Sequence, residues 1–142
     1  MKTDKDMLSS ILKTTQMGQI GIRSISDMPM SKGLKEKLDS QLREYDAIET
    51  QAHDVAQKMN LKVKELNPGV RSMSEMMAKS KLAWNCNDSK IAAMMIQGNT
   101  RGIIKGLKNI HRYREQDSQV SELSQKLLDC ENENIQQMKS YL

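Results

Sequence analysis

Apolar residues recur at alternating spacings of three and four along four separate segments of this chain, and that period commits it to helices that pack on one another. The first segment, about 4–26, carries Leu8, Ile11, Thr15, Gly18, Ile22 and Ile25 on one seam. The second, about 33–60, carries Leu34, Leu38, Gln41, Tyr45, Ile48, Ala52, Val55 and Met59. The third, about 88–112, places Ala92, Ile96, Asn99, Ile103, Gly106 and Ile110 in register. The fourth, about 117–141, places Leu128, Glu131, Ile135, Met138 and Leu142, with Val120, Leu123, Leu127 and Cys130 along its flank.

The links set the topology. DMPMSKG joins the first two helices through Pro29 and Gly33, short enough to make them antiparallel neighbours. The link between the second and third, roughly 61–88, is far too long for a turn. It opens with the turn signal Asn67-Pro68-Gly69 and continues as a short amphipathic helix, about 71–84, with Met73, Met76, Met77 and Trp84 on its apolar side. Asn87 or Asp88 then caps the third helix. A link that long traverses a bundle and leaves the second and third helices parallel. The expected fold is a single all-α domain over residues 1–142: an antiparallel four-helix bundle about 35 Å long with a long crossover.

Composition narrows the rest. There is no phenylalanine, and twelve methionines replace the missing core volume as flexible filler. No apolar run is long enough to span a membrane, and the N-terminal stretch lacks the apolar centre of a signal peptide. Cys86 and Cys130 stand alone, as reduced thiols in a cytoplasmic protein do, and no paired CxxC motif offers a zinc site. Charge is segregated: Lys58 to Arg114 holds 12 basic and 3 acidic residues, whereas Glu115 to Leu142 holds 2 basic and 6 acidic. Within the basic stretch Arg101, Lys105, Lys108 and Arg112 form a stripe on one helical face. The plain reading leaves it solvated or pairs it with Asp129 and Glu133 of the fourth helix; the sharper one makes it a face for an anionic partner, whether nucleic acid, polyphosphate or an acidic protein. Aromatic residues are only 3%, so stacking on nucleic-acid bases is not expected.

Gly98, Gly102 and Gly106 fall four residues apart inside the third helix, where each costs about 0.5–1 kcal/mol relative to alanine. Gly18 and Gly21 sit inside the first. The favoured explanation is close approach of another helix backbone, with a ligand cavity beside the glycines as the alternative. Polar residues also occupy mid-helix seams. Glu131 stands out, because a buried carboxylate must be paired, protonated or metal-bound. Its simplest fate is to turn to the seam edge and meet a base. The amides Gln16, Gln19, Gln97 and Asn99 are expected to form a self-satisfied buried network, or else to hold a small polar ligand.

The helix lengths, the short first link, the long crossover and ENENIQQMKSYL in the last helix resemble the ferritin-like superfamily. The stretch KSKLAWNCNDSKIAAMMIQGNTRGIIKGLKNIHRY is similar to the third-helix region of small, uncharacterised bacterial ferritin-like bundles. Di-iron members supply a Glu from each of two helices and a Glu-x-x-His from each of the other two. Here Glu131 is followed by Asn134 where the histidine belongs, and Glu49 and His53 are four apart rather than three. Gln16, Gln19 and Gln97 stand at the remaining places, and amides do not balance the charge of two irons. The resemblance therefore implies a bundle with degenerate ligands. Its function is expected to be non-enzymatic, a structural or interaction module with no cofactor, meeting a second copy or a protein partner through Met73, Met76, Met77 and Trp84. A residual iron or other divalent metal site, formed by Glu49, His53 and Glu131 near Tyr45, is the rival. Without a metal, Glu49 and His53 would form an exposed pair one turn apart.

Overall fold

The computed structural model describes residues 1–72, 76 and 86–142. Its four long helices are α1 (Asp4–Ser24), α2 (Lys32–Lys58), α3 (Asp88–Arg112) and α4 (Ser118–Lys139), and no strand forms among the described residues. Each helix starts where a side chain satisfies its first free N–H groups. Thr3 and Asp6 form a reciprocal capping box on α1, with Thr3 Oγ1 accepting from Asp6 N at 3.1 Å and Asp6 Oδ2 accepting from Thr3 N at 3.0 Å. Thr3 N and Thr3 Oγ1 both donate to the Asp6 carboxylate and hold it below its usual range. Ser31 caps α2, Asn87 caps α3 and Asp117 caps α4. Asp88 then accepts from Ser31 N at 2.9 Å, which places the start of α3 beside the start of α2.

One apolar core joins all four helices. Leu8, Ile11, Leu12, Leu34, Leu38, Ile48, Ile91, Val120 and Met138 are buried in it. Met7 and Met95 join Met138 there, the filler role that the absence of phenylalanine requires. The most extensive contacts are α1 with α2 and α3 with α4, then α2 with α4; α1 meets α3 and α4 more sparsely. Polar contacts fix the α2–α4 register: Gln41 with Gln137 (2.9 Å), Cys130 with Glu44 (3.3 Å) and Lys126 with Gln51 (3.2 Å).

The heptad seams of α1 and α2 are buried nearly throughout, as their spacing requires. On α3 the seam is thinner. Ala92 and Asn99 are buried, but Ile96, Ile103, Gly106 and Ile110 are only half-covered, because α1 supports that side of α3 sparsely. Leu142, read as the last seam residue of the fourth helix, lies beyond α4 and is 62% exposed.

Beyond α2 the chain turns at Asn60, whose φ of 53° lies in the left-handed region that asparagine tolerates. Residues 61–66 then lie along α1. Lys64 N donates to Ser9 Oγ and Leu66 N donates to Gln16 Oε1, both at 2.9 Å. Residues 68–72 are helical. Most of the helix expected at 71–84 lies outside the described residues. No helix among the described residues is long and apolar enough to cross a membrane.

Candidate functional site

Tyr45 of α2 reaches across the core to α3 and α4. Its hydroxyl donates to Asn99 Oδ1 at 2.9 Å, and Asn134 Nδ2 lies 3.3 Å from Asn99 Oδ1 and 3.4 Å from the hydroxyl. Asn99 Nδ2 is held by the Met95 carbonyl at 2.8 Å. All three side chains are buried, and burial pushes the Tyr45 phenol well above its ordinary pKa. A Cβ on Gly18 would overlap the Tyr45 ring, so that glycine makes room for the aromatic side chain.

Gly102 plays the same part for Glu131. A Cβ there would overlap the Glu131 carboxyl, whereas Gly106 would meet only Leu128 at 3.7 Å and Gly98 nothing within 4 Å. The expectation that the three glycines admit a neighbouring backbone is therefore corrected. Gly102 admits a side chain, Gly106 borders a small space and Gly98 is exposed. The cavity alternative is realised on a small scale. A crevice between α1, α3 and α4, lined by Ser10, Thr14, Gly102, Gly106, Ser124 and Glu131 among others, leaves about 20 Å³ that the centre of a water molecule can reach. That is room for a water or two.

Glu131 itself is only 2% exposed, and it makes neither a hydrogen bond nor an ion pair among the described residues. It has not turned to the seam edge to meet a base. Burial raises its pKa to about 8, against a smaller opposing pull from Lys105. The carboxyl is therefore mostly protonated near neutral pH, one of the three fates open to a buried acid. Beside it, Ser124 Oγ is buried with no hydrogen-bond partner. Ser10 Oγ accepts from Asn109 Nδ2 at 2.7 Å.

The proposed metal donors do not converge. His53 is exposed on α2 and its Nε2 meets Glu65 Oε1 at 2.9 Å, so it pairs with the crossover rather than with Glu49. Glu49 stays on α2, half-buried, while Gly102 draws Glu131 toward α3. No group of three His, Cys, Asp or Glu side chains able to hold a metal forms among the described residues. The four amides do not form one network either. Gln97 is exposed, Gln16 bonds Leu66 N and Glu65, Gln19 Nε2 is buried without a partner, and only Asn99 joins the centre. Cys130 donates to Glu44 at 3.3 Å, and its thiol is pushed up to about 12 by burial and that carboxylate, so it is a poor nucleophile.

The basic stripe is solvent-facing. Arg101, Lys105, Lys108 and Arg112 are exposed and make no ion pair among the described residues, so the expected pairing with Asp129 and Glu133 does not occur. Ile104 (50% exposed) and Leu107 (42%) lie among these bases. Lys13 and Lys2 are near enough to depress the Lys105 pKa, after a larger effect of its own partial burial. Of the methionine face only Met76 is described, at 69% exposed; Met73, Met77 and Trp84 lie outside the described residues.

Sequence spacing alone missed Ser10, Thr14 and Asn109. Ser124 was legible, one heptad before Glu131 and hence on its face. No known family model matches this chain, and no curated protein or solved structure is detectably similar to it.

Proposed function

We propose that this chain is a ferritin-like antiparallel four-helix bundle with one crossover that serves as a non-enzymatic interaction module, docking an acidic segment of a protein partner on α3. The carrying observation is the unpaired basic stripe Arg101, Lys105, Lys108 and Arg112 with Ile104 and Leu107 exposed among the charges. Four like charges on one face raise the local concentration of anionic partners and speed their encounter. The two apolar side chains favour a protein segment that brings aliphatic groups with its carboxylates over the bare phosphates of a duplex. The bundle reading is supported by the helix lengths, by the common core and by the meeting of the α2 and α3 starts at Ser31 and Asp88.

An amphipathic Glu/Leu peptide, titrated at rising ionic strength, tests the docking face. Binding should weaken by about tenfold between low and moderately high salt, because exposed charge pairs are screened. The double reversal Arg101→Glu with Lys108→Glu should remove most of it. Affinity indifferent both to salt and to that reversal would rule the α3 face out.

A further inference from the structure

We propose that the crevice between α1, α3 and α4 is a binding site for a carboxylate, received by Glu131, Ser124 and Ser10 of its lining in the positive field of Lys105, which Lys13 reinforces. This goes beyond the α3 docking face: it shares only Lys105 with that stripe, rests on the buried groups of the crevice and stands if that reading fails.

The inference starts from an inventory of donors. Glu131 is buried, aimed into the crevice and without a hydrogen-bond partner among the described residues. Ser124 Oγ is buried beside it and equally unpartnered. Ser10 Oγ already accepts from Asn109, which leaves its own proton uncommitted. Such groups cost stability in isolation and are satisfied by what enters. The complement of a set of free O–H donors in the field of the Lys105 ammonium is an acceptor-only anion. A cation is disfavoured there, since Lys105 of α3 acts on Glu131, and Lys13 of α1 and Lys2 just ahead of α1 act in turn on Lys105. Tyr45 of α2 and the Cys130 thiol, with its partner Glu44, are also within electrostatic reach of Glu131.

Size narrows the class further. The floor has room for a water or two, so the entering head is a flat two-oxygen group, with the rest of the ligand remaining at the mouth. Gly102 and Gly106 open that floor, which gives the helix-interior glycines a use that backbone packing does not. Binding is a shared hydrogen bond: the carboxylic O–H of Glu131 donates to the ligand oxygen, and no covalent bond changes. Because Glu131 titrates at about 8, it is the donor below that pH and a repelling charge above it. The carboxylate could come from a small free acid or from an acidic side chain of a partner, and the two sources are separable.

Isotope-labelled acetate, titrated by NMR at pH 6 and pH 9, is the direct test. The native protein should bind saturably at pH 6 and lose about tenfold in affinity per pH unit above about 8. Glu131→Gln, which keeps a neutral donor, should bind at both pH values alike. Lys105→Gln should weaken binding at pH 6 while the fold stays intact by circular dichroism. Absence of saturable binding at pH 6, binding that strengthens at pH 9, or a Glu131→Gln variant with the native pH profile would each overturn the proposal. A penta-glutamate peptide sharing acetate's pH profile identifies a partner side chain as the source. If acetate alone shows that profile, a small acid is the source. The double reversal Arg101→Glu with Lys108→Glu should leave acetate binding unchanged, so failure of the docking face is read separately.

Discussion

At the scale of single residues, the three α3 glycines are chemically identical and structurally unlike. Gly98 faces open space, so Gly98→Ala should raise unfolding free energy in denaturant by about 0.5–1 kcal/mol through helix propensity. Gly102→Ala drives a methyl into the Glu131 carboxyl and should instead lower it by about 1 kcal/mol or more. In a Glu131→Ala background the obstacle is gone, and the same Gly102→Ala change should turn neutral or stabilising; a double-mutant cycle reads the difference. These contrasts were hidden in the sequence. Glycines at four-residue spacing announce that one face is smooth, but not whether a backbone, a side chain or solvent lies against it. The same limit applies to His53. Its spacing from Glu49 suggested a pair, but Glu65 of the crossover reaches it first, and such a long-range meeting leaves no mark in local periodicity.

At the scale of elements, periodicity was a good guide because it reflects which face each helix must bury. The observed bounds of α1, α2 and α4 fall within about two residues of those spacing implies, and α3 matches at both ends. The caps explain that agreement, since Thr3, Ser31, Asn87 and Asp117 are each the residue type a free helix start requires. Polar residues on the seams were visible too, but their partners depended on how far each helix had rotated. Tyr45 ties α2 to α3 and α4 through Asn99 and Asn134. Tyr45→Phe leaves those buried amides short of one partner, and Asn134 Oδ1 already lacks one. Loss of the hydroxyl should lower unfolding free energy by about 1–2 kcal/mol with the helix content unchanged, as chemical denaturation would measure.

At the scale of the whole molecule, a buried acid makes stability a function of pH. The Glu131 pKa in the folded chain, about 8, stands above its ordinary value of 4.5. The folded state therefore holds the proton more tightly than the unfolded chain, so its contribution is complete below about pH 4.5 and declines as pH rises toward 8. Native protein should lose stability across that window at up to about 1.4 kcal/mol per pH unit, and Glu131→Gln should flatten the curve. Equal slopes for the two would show that some other group governs the dependence. Charge segregation, also plain in the sequence, did not resolve as internal pairing. The stripe on α3 makes no ion pair with Asp129 or Glu133 of α4, since both of those acids are exposed to water.

The junction at the start of α1 also sets an order of events. Lys2 N donates to the Arg112 carbonyl at 2.8 Å, Arg114 N donates to the Lys2 carbonyl at 3.2 Å, and the Tyr113 hydroxyl bonds Asp4 while accepting from Asp117 N. During synthesis on a ribosome, α1 and α2 can fold onto each other as soon as both have emerged. Residues 2–4 must nevertheless wait for residues 112–117 before the start of α1 is closed. The start of α1 is thus made before α2 but fastened only after α3, and a chain stalled before Arg112 would leave that helix start unsealed.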